Sequence, residues 1–516
     1  MSAATVAEPA GRRRALARSP AQLLSDPAAL AVLGLTVVAA FLRFWRIGHQ
    51  GFWFDEGNTA LLVHLSPGKM LGLIPQSEST PPLYYCIAWV WARIFGYGEA
   101  GLRSLSALAG VLTVPVVYGA AATLCSKRAG VIAAALTACN PLLIWYSQEA
   151  RSYSLLVLLS AVSLFTFARV LSDPRTRTVA AWVVASAFAL ATHYYAFLIV
   201  IPEAAWLLWT FRRRRDVVAG IAIVGVCGLA LIPLALSQNG TGNANWIGKI
   251  ALAPRLGQLF PQFVVGFGGP AHELLDRLAE LIALVAVGFV VWRRPSARGA
   301  VLAGGMLAAG LILNLLLVTG GIDDLITRNV LALWPAAAVL VAGGLAVAPL
   351  RARAGAAGVA FAGVLCAFGI AGGVAVAVDR NLQRPDWRAV ARVLGPARPR
   401  LLLLQEYRTL LPLSLYEHHL RFWRRQPTAR VSEIDVIAIS APRVHLCWWG
   451  AACNLTPSPA QSSYAIPGFR QTSTTRAYQF TIVKLVAPRP VVLTKASLAQ
   501  GLTATPIRHD GLILQR

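Results

Sequence analysis

Charged residues are scarce in this sequence, and acidic residues are the scarcest of them. Only 13% of the 516 positions are Asp, Glu, Lys or Arg, whereas soluble domains carry ~25%. So few charges exclude a disordered chain, a coiled coil and an ordinary cytosolic enzyme. No internal repeat of the solenoid kind is visible either. The composition instead indicates a protein that lies largely in a membrane.

The hydrophobic residues, 56% of the chain, are gathered in long blocks. A block of ~20 apolar residues crosses the bilayer core as a helix. Eleven blocks are interpreted as spans, at about 28–47, 102–124, 129–146, 153–171, 178–193, 195–210, 217–237, 278–292, 299–318, 329–349 and 355–378. No small-residue cleavage site follows the first block, which we therefore interpret as an uncleaved span. The pattern predicts a polytopic α-helical membrane protein with about eleven transmembrane helices.

The basic residues predict which side of the membrane each loop occupies. The net charge of +25 could point to nucleic acid, but Lys and Arg form short clusters between the apolar blocks. With a cytoplasmic N-terminus, the arm 1–27 and the loops SKR, DPRTR, RRRR, WRRPSAR and RAR hold 17 Lys or Arg on one side. The opposite loops, 48–100, 147–152, 238–275 and 319–328, hold six. The positive-inside rule favours this orientation, with the C-terminus outside and no nucleic-acid partner.

Residues 81–97, PPLYYCIAWVWARIFGY, form one further apolar block. Counting this block as a span would place the later basic clusters outside. We therefore expect a helix that lies in the outer membrane interface, where its Trp and Tyr side chains are at home. A plain short span is the alternative.

The composition changes after residue 378, so the chain is divided into a cytoplasmic arm (1–27), a transmembrane domain (28–378, with the first outer loop at 48–100) and an extracytoplasmic domain (379–516). Segments such as RLLLLQEY, VIAIS and QFTIVKL predict short strands. The tail is expected to be a mixed α/β domain whose first helix is capped by Asp386. Cys447 and Cys453 both fall in it, and an oxidising compartment favours a disulfide between them, with free thiols as the alternative.

Ionisable groups form four clusters on the outer side of this topology. They are Asp55 and Glu56 in GFWFDEGNTA, Glu149 and Arg151 in WYSQEARSYSL, His193 and Tyr194 in ATHYYAF, and Asp323, Asp324 and Arg328 in GGIDDLITRNV. The topology is derived from the arginine clusters alone. That all four ionisable clusters nevertheless fall on the same side of the membrane indicates a site. Guanidinium groups bind phosphate through their planar donor fork, and a carboxylate can serve as a general base.

Simpler interpretations of these residues stay open at this point. Asp55 and Glu56 could merely begin a helix, and Glu149 and Arg151 could form a local ion pair. Glu203, in the middle of the sixth span, has no assigned role.

The same segments resemble bacterial members of the GT-C superfamily, the polyprenyl-phosphate-sugar glycosyltransferases, which include protein O-mannosyltransferases and the lipid A aminoarabinose transferase. The matching pieces are FWFDEGNTA, STPPLYYCIAWVWARIFGYGEAGLRSLSALAG, CNPLLIWYSQEARSYSL, ATHYYAF and RNVLALWP, followed by PDWRAVARVL. The resemblance implies the GT-C fold, with Asp55 as the base that activates the acceptor, Glu149 as the second acidic position and Arg328 near the donor phosphate. Relatives often have HPPLYY or EKPPL where this chain has STPPLYY, so a phosphate contact from that His or Lys is not expected here.

The resemblance also implies a reaction. A sugar on a polyprenyl phosphate would pass with inversion to an acceptor hydroxyl at the outer face of a bacterial plasma membrane. Asp55, Glu56 and Glu149 are the catalytic candidates. The candidates for binding phosphate or substrate are Arg151, His193, Tyr194 and Arg328. A divalent cation is left open, with Asp55 and Glu149 as its ligands if one binds.

The sugar and the acceptor stay open in this interpretation. The Ala-, Arg- and Gly-rich composition is typical of a high-GC bacterium, which favours mannose or arabinose donors, either a hexosyl or a pentosyl transfer. The acceptor could be a cell-envelope glycan, a glycolipid or a protein. A transporter or flippase of a lipid-linked saccharide is the alternative function, but such a protein needs ionisable groups near the membrane midplane. Here the acids gather at one face.

Overall fold

The computed structural model describes residues 26–266, 272–292, 297–348, 352–404, 410–424, 426–439, 460–502 and 511–516. Its helices are, in chain order, α1 (Pro27–Phe44), α2 (Phe54–His64), α3 (Pro67–Ser77), α4 (Leu83–Phe95), α5 (Glu99–Leu124), α6 (Lys127–Cys139), α7 (Pro141–Ser147), α8 (Tyr153–Ser172), α9 (Thr176–Thr192), α10 (Phe197–Phe211), α11 (Arg215–Ala230), α12 (Ile232–Asn239), α13 (Leu252–Val265), α14 (His272–Trp292), α15 (Arg298–Thr319), α16 (Trp334–Leu345), α17 (Arg353–Val378), α18 (Trp387–Leu394), α19 (Leu410–Leu413) and α20 (Lys495–Gly501). Short 3₁₀ turns lie at Tyr194–Ala196, Thr327–Leu333 and Arg380–Leu382.

Each of the eleven predicted blocks corresponds to a helix or to two successive helices. In the described part of the chain, eight helical segments are long and apolar enough to cross a membrane. A ninth is the pair α6 and α7, which is bent by 56°. Helix α9 is apolar but shorter, and α14 covers the block at 278–292. The chain is a multi-span membrane protein, as predicted.

The bend between α6 and α7 has a clear local cause. Pro141 has no N–H, so the carbonyl oxygen of Thr137 loses its helical partner. Arg43, fully buried at the end of α1, donates to that oxygen over 2.9 Å and to the carbonyl oxygen of Ala138 over 2.8 Å. Asn140 begins the next helix by accepting from the N–H of Leu143. The bend is therefore held by α1, and it directs the short loop 148–152 toward the residues that follow α1.

Helices α2, α3 and α4 belong to the connection between α1 and α5. Helix α4 is the predicted interfacial segment, and its 13 residues span about 20 Å, less than a bilayer core. The helices pack on a small apolar core that includes Met70, Ile74, Tyr84 and Tyr85. This core holds α2, which carries Asp55 and Glu56, against the bundle.

The tail forms a six-stranded mixed sheet. The strands are β1 (Arg400–Leu404), β2 (Leu420–Phe422), β3 (Thr428–Ile439), β4 (Arg470–Ala477), β5 (Phe480–Thr494) and β6 (Leu512–Gln515), in the order β2-β6-β1-β3-β5-β4. Only the β1–β3 pair is parallel among these neighbours. Asp386 caps α18 by accepting from the N–H of Ala389 at 2.9 Å, as predicted. Cys447 and Cys453 lie outside the described residues, so their disulfide stays a prediction.

The tail packs directly on the connection that carries α2. The Tyr416 hydroxyl accepts from the backbone N–H of Phe52 at 2.7 Å. A side chain in place of Gly57 on α2 would meet Leu411 of α19 at 3.3 Å, so the two helices are in close contact. The position of α2 therefore depends on the tail as well as on the membrane helices.

Candidate functional site

Glu56 is fully buried and tied to Arg103 of α5. The guanidinium donates to both carboxylate oxygens, at 2.7 and 2.6 Å, and the N–H of Ala150 donates to one of them at 2.8 Å. Burial alone would raise the pKa of Glu56, but the charge and hydrogen bonds of Arg103 outweigh it and lower this pKa. Arg103 also donates to the carbonyl oxygens of Gln50 and Gly51. Glu56 therefore anchors the chain just before α2.

Asp55, its neighbour, points to a different partner. Arg328, 273 positions away in sequence, donates to one Asp55 carboxylate oxygen at 3.0 Å. The two side chains are 18% and 13% exposed, so this pair is open to a ligand, unlike Glu56 and Arg103. Arg151 adds a contact of 3.2 Å to the carbonyl oxygen of Asp55. The structure thus brings three of the predicted site residues together.

Glu149 faces an arginine that the sequence analysis missed. Arg384, from the segment between α17 and α18, donates to one Glu149 oxygen at 3.0 Å and stacks on Trp145 at 4.0 Å. The other Glu149 oxygen accepts no hydrogen bond from the described residues. Burial raises the pKa of Glu149 to about 7, and the negative charges of Glu56 and Asp55 add to that rise against the opposing effect of Arg384. Glu149 is therefore close enough to Asp55 to sense its charge.

Arg151 has a second missed partner, Glu78. Its guanidinium lies 2.8 Å from a Glu78 oxygen, to which the Tyr85 hydroxyl also donates at 2.6 Å. Glu78 is almost completely buried, and this burial raises its pKa despite the nearby Arg151. The signal for Glu78 was available, because it is an acid just before STPPLYY, the segment in which this chain departs from its relatives.

His193 lies in the same cluster, but Tyr194 does not. The His193 ring is packed between Tyr153 and Tyr195, with ring centres 5.7 Å apart in both cases. His193 itself is buried. The Tyr194 hydroxyl instead donates to the side chain of Gln238 at 2.8 Å.

The remaining acids that the sequence analysis named have structural partners. Asp323 forms a two-pronged pair with Arg255, with both contacts at 2.7 Å. Asp324 accepts from the Tyr195 hydroxyl at 3.2 Å. Glu203 is fully buried in the bundle and accepts from Ser163 and Trp182. None of these contacts reaches Asp55.

The cluster is balanced in charge, with four carboxylates each beside a different guanidinium. The pairs are Asp55–Arg328, Glu56–Arg103, Glu78–Arg151 and Glu149–Arg384. Among the described residues, no group of three or more His, Cys, Asp or Glu is arranged to hold a metal ion. A cation between Asp55 and Glu149 would have to displace or share with an arginine. These residues therefore do not fit a resident divalent cation, and the reaction proposed below uses none.

An apolar cavity of about 250 Å³ lies behind Arg328. Its lining includes Val330, Leu333 and Trp334, which follow Arg328 in the chain, and Leu259 and Phe263 of α13. A hydrocarbon chain could occupy such a space beside the charged cluster.

Comparisons with known proteins agree with this architecture. Residues 79–237 match the model of the family described as dolichyl-phosphate-mannose-protein mannosyltransferase. The crystal structure of ArnT from Cupriavidus metallidurans in the apo state is similar over 89% of this chain and 98% of that one, with a TM-score of 0.53 and 15% identity. The same protein bound to undecaprenyl phosphate is similar over 88% and 97%, with a TM-score of 0.51 and 15% identity. No curated protein sequence matches the chain.

At this identity the structural likeness establishes the fold, and the family model covers about a third of the sequence. The chain has a GT-C architecture with a C-terminal mixed sheet, and the predicted resemblance to the GT-C superfamily of polyprenyl-phosphate-sugar glycosyltransferases is confirmed.

Proposed function

We propose that this protein is a membrane glycosyltransferase that moves a sugar from a polyprenyl phosphate to an acceptor hydroxyl. The observation that carries the proposal is the partly open Asp55–Arg328 pair beside an apolar cavity. A phosphate at Arg328 would leave its lipid chain beside that cavity. The matched family model and the likeness to a protein crystallised with undecaprenyl phosphate support a lipid-phosphate donor.

Arg328 is the proposed contact to the donor phosphate. Its guanidinium donates a hydrogen bond of 3.0 Å to the Asp55 carboxylate and lies 5.5 Å from the ring centre of Trp246. A phosphate would compete with Asp55 for this guanidinium. Binding of the donor would thus free the Asp55 carboxylate as it engages Arg328.

Asp55 is the proposed general base. It would take the proton from the acceptor hydroxyl while that oxygen forms a bond to the anomeric carbon. The bond between this carbon and the phosphate oxygen breaks in the same step, which inverts the configuration. Charge then builds on the departing lipid phosphate, where Arg328 and Arg151 would stabilise it.

The other groups would position this pair. Glu56 and Arg103 would fix the start of α2, and the Glu149–Arg384 pair would hold the loop 148–152 against the segment that opens the tail. The buried His193 would line the site between two tyrosine rings. Tyr194, by its contact with Gln238, would tie α12 to the bundle.

The proposal also includes the membrane orientation, the domain boundaries and the cellular location of the protein. The arginine clusters support a cytoplasmic arm (1–27), a transmembrane domain (28–378) and an extracytoplasmic tail (379–516) in a bacterial plasma membrane. The site would then face the cell envelope, where a glycan, a glycolipid or a protein could be the acceptor. The donor sugar could be a hexose such as mannose or a pentose such as arabinose.

A transfer assay tests the proposal. The purified chain in lipid nanodiscs is incubated with a panel of polyprenyl-phosphate sugars and envelope-derived acceptors, and products are identified by mass. We expect a mass gain of one sugar on an acceptor, with release of polyprenyl phosphate, and loss of both in Asp55→Asn. In proteoliposomes, movement of an intact lipid-linked sugar across the membrane without cleavage would instead support a flippase.

A further inference from the structure

A second cavity, a cleft of about 410 Å³, lies where the tail meets the residues around α2. Its lining includes Arg388, Arg392, Tyr416, Glu417 and His418. Clefts of this size commonly bind small ligands. The transfer step proposed above uses none of these residues, so the cleft has no assigned role.

One wall of the cleft is joined to the chain that leads into Asp55. The Tyr416 hydroxyl accepts from the N–H of Phe52 at 2.7 Å and donates to Glu99 at 2.8 Å. Arg388 donates to the carbonyl oxygens of the residues at 48 and 49. Phe52 is three residues before Asp55, and three residues of extended chain reach at most about 11 Å. A ligand against Tyr416 would therefore contact a side chain that is bonded to the segment leading into Asp55.

The acid that lines the cleft, Glu417, and the nearby Glu99 both have partners that offset their charge. Glu417 is buried, accepts from Gln515 at 2.8 Å and lies 3.5 Å from Arg400. Glu99 lies 3.3 Å from Arg388. The exposed groups that face solvent here are the guanidinium of Arg392 and the imidazole of His418.

The positive character continues along the neighbouring segment. The pKa of His49 is lowered, first by burial and then by the charges of Arg46, Arg380 and Arg388, with only Asp386 acting in the opposite direction. Three guanidinium groups thus act on His49, and one of them, Arg388, also lines the cleft. Such a surface attracts anions.

We infer that this cleft binds an acidic stretch of the acceptor, a saccharide that carries carboxylate or phosphate groups. Arginine forks recognise both groups, and Tyr416 and His418 offer apolar ring surface with a polar edge. That this ligand is the acceptor rests on the proposed transferase function. Binding of an acidic saccharide to the cleft does not depend on it. The ligand would be held at Arg392 and His418 while one of its hydroxyl groups reaches Asp55.

Binding to the whole protein in nanodiscs tests the inference without any donor present. The probes are a hexasaccharide of alternating glucuronate and N-acetylglucosamine and a neutral N-acetylglucosamine hexasaccharide, measured by calorimetry. We expect the acidic probe to bind at least about tenfold more tightly, because charge-assisted hydrogen bonds are stronger than neutral ones. The double variant Arg392→Gln, His418→Gln should remove this preference.

Arg430→Gln is the matched control, since Arg430 is an exposed arginine on β3 and does not line the cleft. It should leave both affinities unchanged, and all variants must elute as the wild type does in size exclusion. Equal affinity for the two probes, no binding of either, or equal loss in the control would each overturn the inference. So would a preference that survives the double variant. Acid-selective binding by a protein that transfers no sugar would support the cleft as a binding site. It would reject the proposed transferase function.

Discussion

Adjacent carboxylates on α2 should respond to amide substitution alike in activity but differently in stability. Asp55→Asn removes the proposed proton acceptor but changes a pair that is partly exposed. Turnover should fall by about 10²–10⁴-fold, the usual contribution of a general base. The free energy of unfolding should change less than in Glu56→Gln, because this pair is partly open to solvent and solvent weakens an ion pair. The variant should therefore be inactive and stable.

Glu56→Gln breaks the ion pair with Arg103, which has almost no exposure to solvent. The amide presents N–H groups to Arg103 where two carboxylate oxygens now accept, which leaves a buried guanidinium without its counter-charge. Breaking a buried pair in this way costs about 3–5 kcal/mol. Arg103 also holds the carbonyl oxygens of Gln50 and Gly51, so the residues before α2 should lose their anchor. Activity should fall together with stability.

Turnover and thermal unfolding, followed by tryptophan fluorescence on the same preparations, separate the two effects. Asp173→Asn serves as a control, because its pair with Arg175 is at the surface and should matter for neither quantity. An inactive Glu56→Gln with an unchanged Tm, beside a nearly normal Asp55→Asn, would make Glu56 the base. Normal turnover in both variants would remove this helix from the mechanism.

Four further expectations follow from the site and the topology. Arg328→Ala should weaken donor binding by about 10–100-fold, the loss expected for a charged hydrogen bond, measured by titration with polyprenyl phosphate; unchanged affinity would place the phosphate elsewhere. Burial raises the pKa of Glu149 from 4.5 to about 7, so the folded state keeps a proton that the unfolded chain releases. Stability should therefore fall as the pH rises between these values, and Glu149→Gln should flatten the dependence of Tm on pH; an equal slope in both proteins would contradict the assignment. A cysteine at the exposed Ser463 should react with an impermeant thiol reagent on intact spheroplasts, in a background without accessible native cysteines; labelling only after lysis would reverse the orientation. Non-reducing peptide mapping of the exported protein should find Cys447 joined to Cys453, and two free thiols would reject the bond.

The membrane helices were predictable because each depends on local composition alone. A run of apolar residues specifies a span wherever its neighbours lie, and Asp386 caps α18 through a contact only three residues away. The 56° bend at Asn140 was not predicted, since it depends on Pro141 together with a buried arginine almost 100 positions earlier.

Several members of the charged cluster were predictable from the sequence, but their pairing was not. Asp55, Arg151 and Arg328 meet because the fold closes over long sequence distances, which no periodicity reports. Glu78 and Arg384 were missed because neither belongs to the four ionisable clusters that the sequence analysis picked out, although Glu78 lies in the first outer loop. Tyr194 was grouped with His193 as its neighbour, but successive residues of a turn point in different directions, and Tyr195 contacts the His193 ring instead.

The contribution of the tail to the membrane cluster restricts how such proteins can be recombined. Arg384 supplies the counter-charge of Glu149, and Tyr416 bonds to the chain before α2. A chimera joined at residue 379 that lacks an equivalent arginine would leave Glu149 buried without its counter-charge. A tail domain taken from another protein must therefore supply both contacts. Truncation at the same point should destabilise the membrane domain as well.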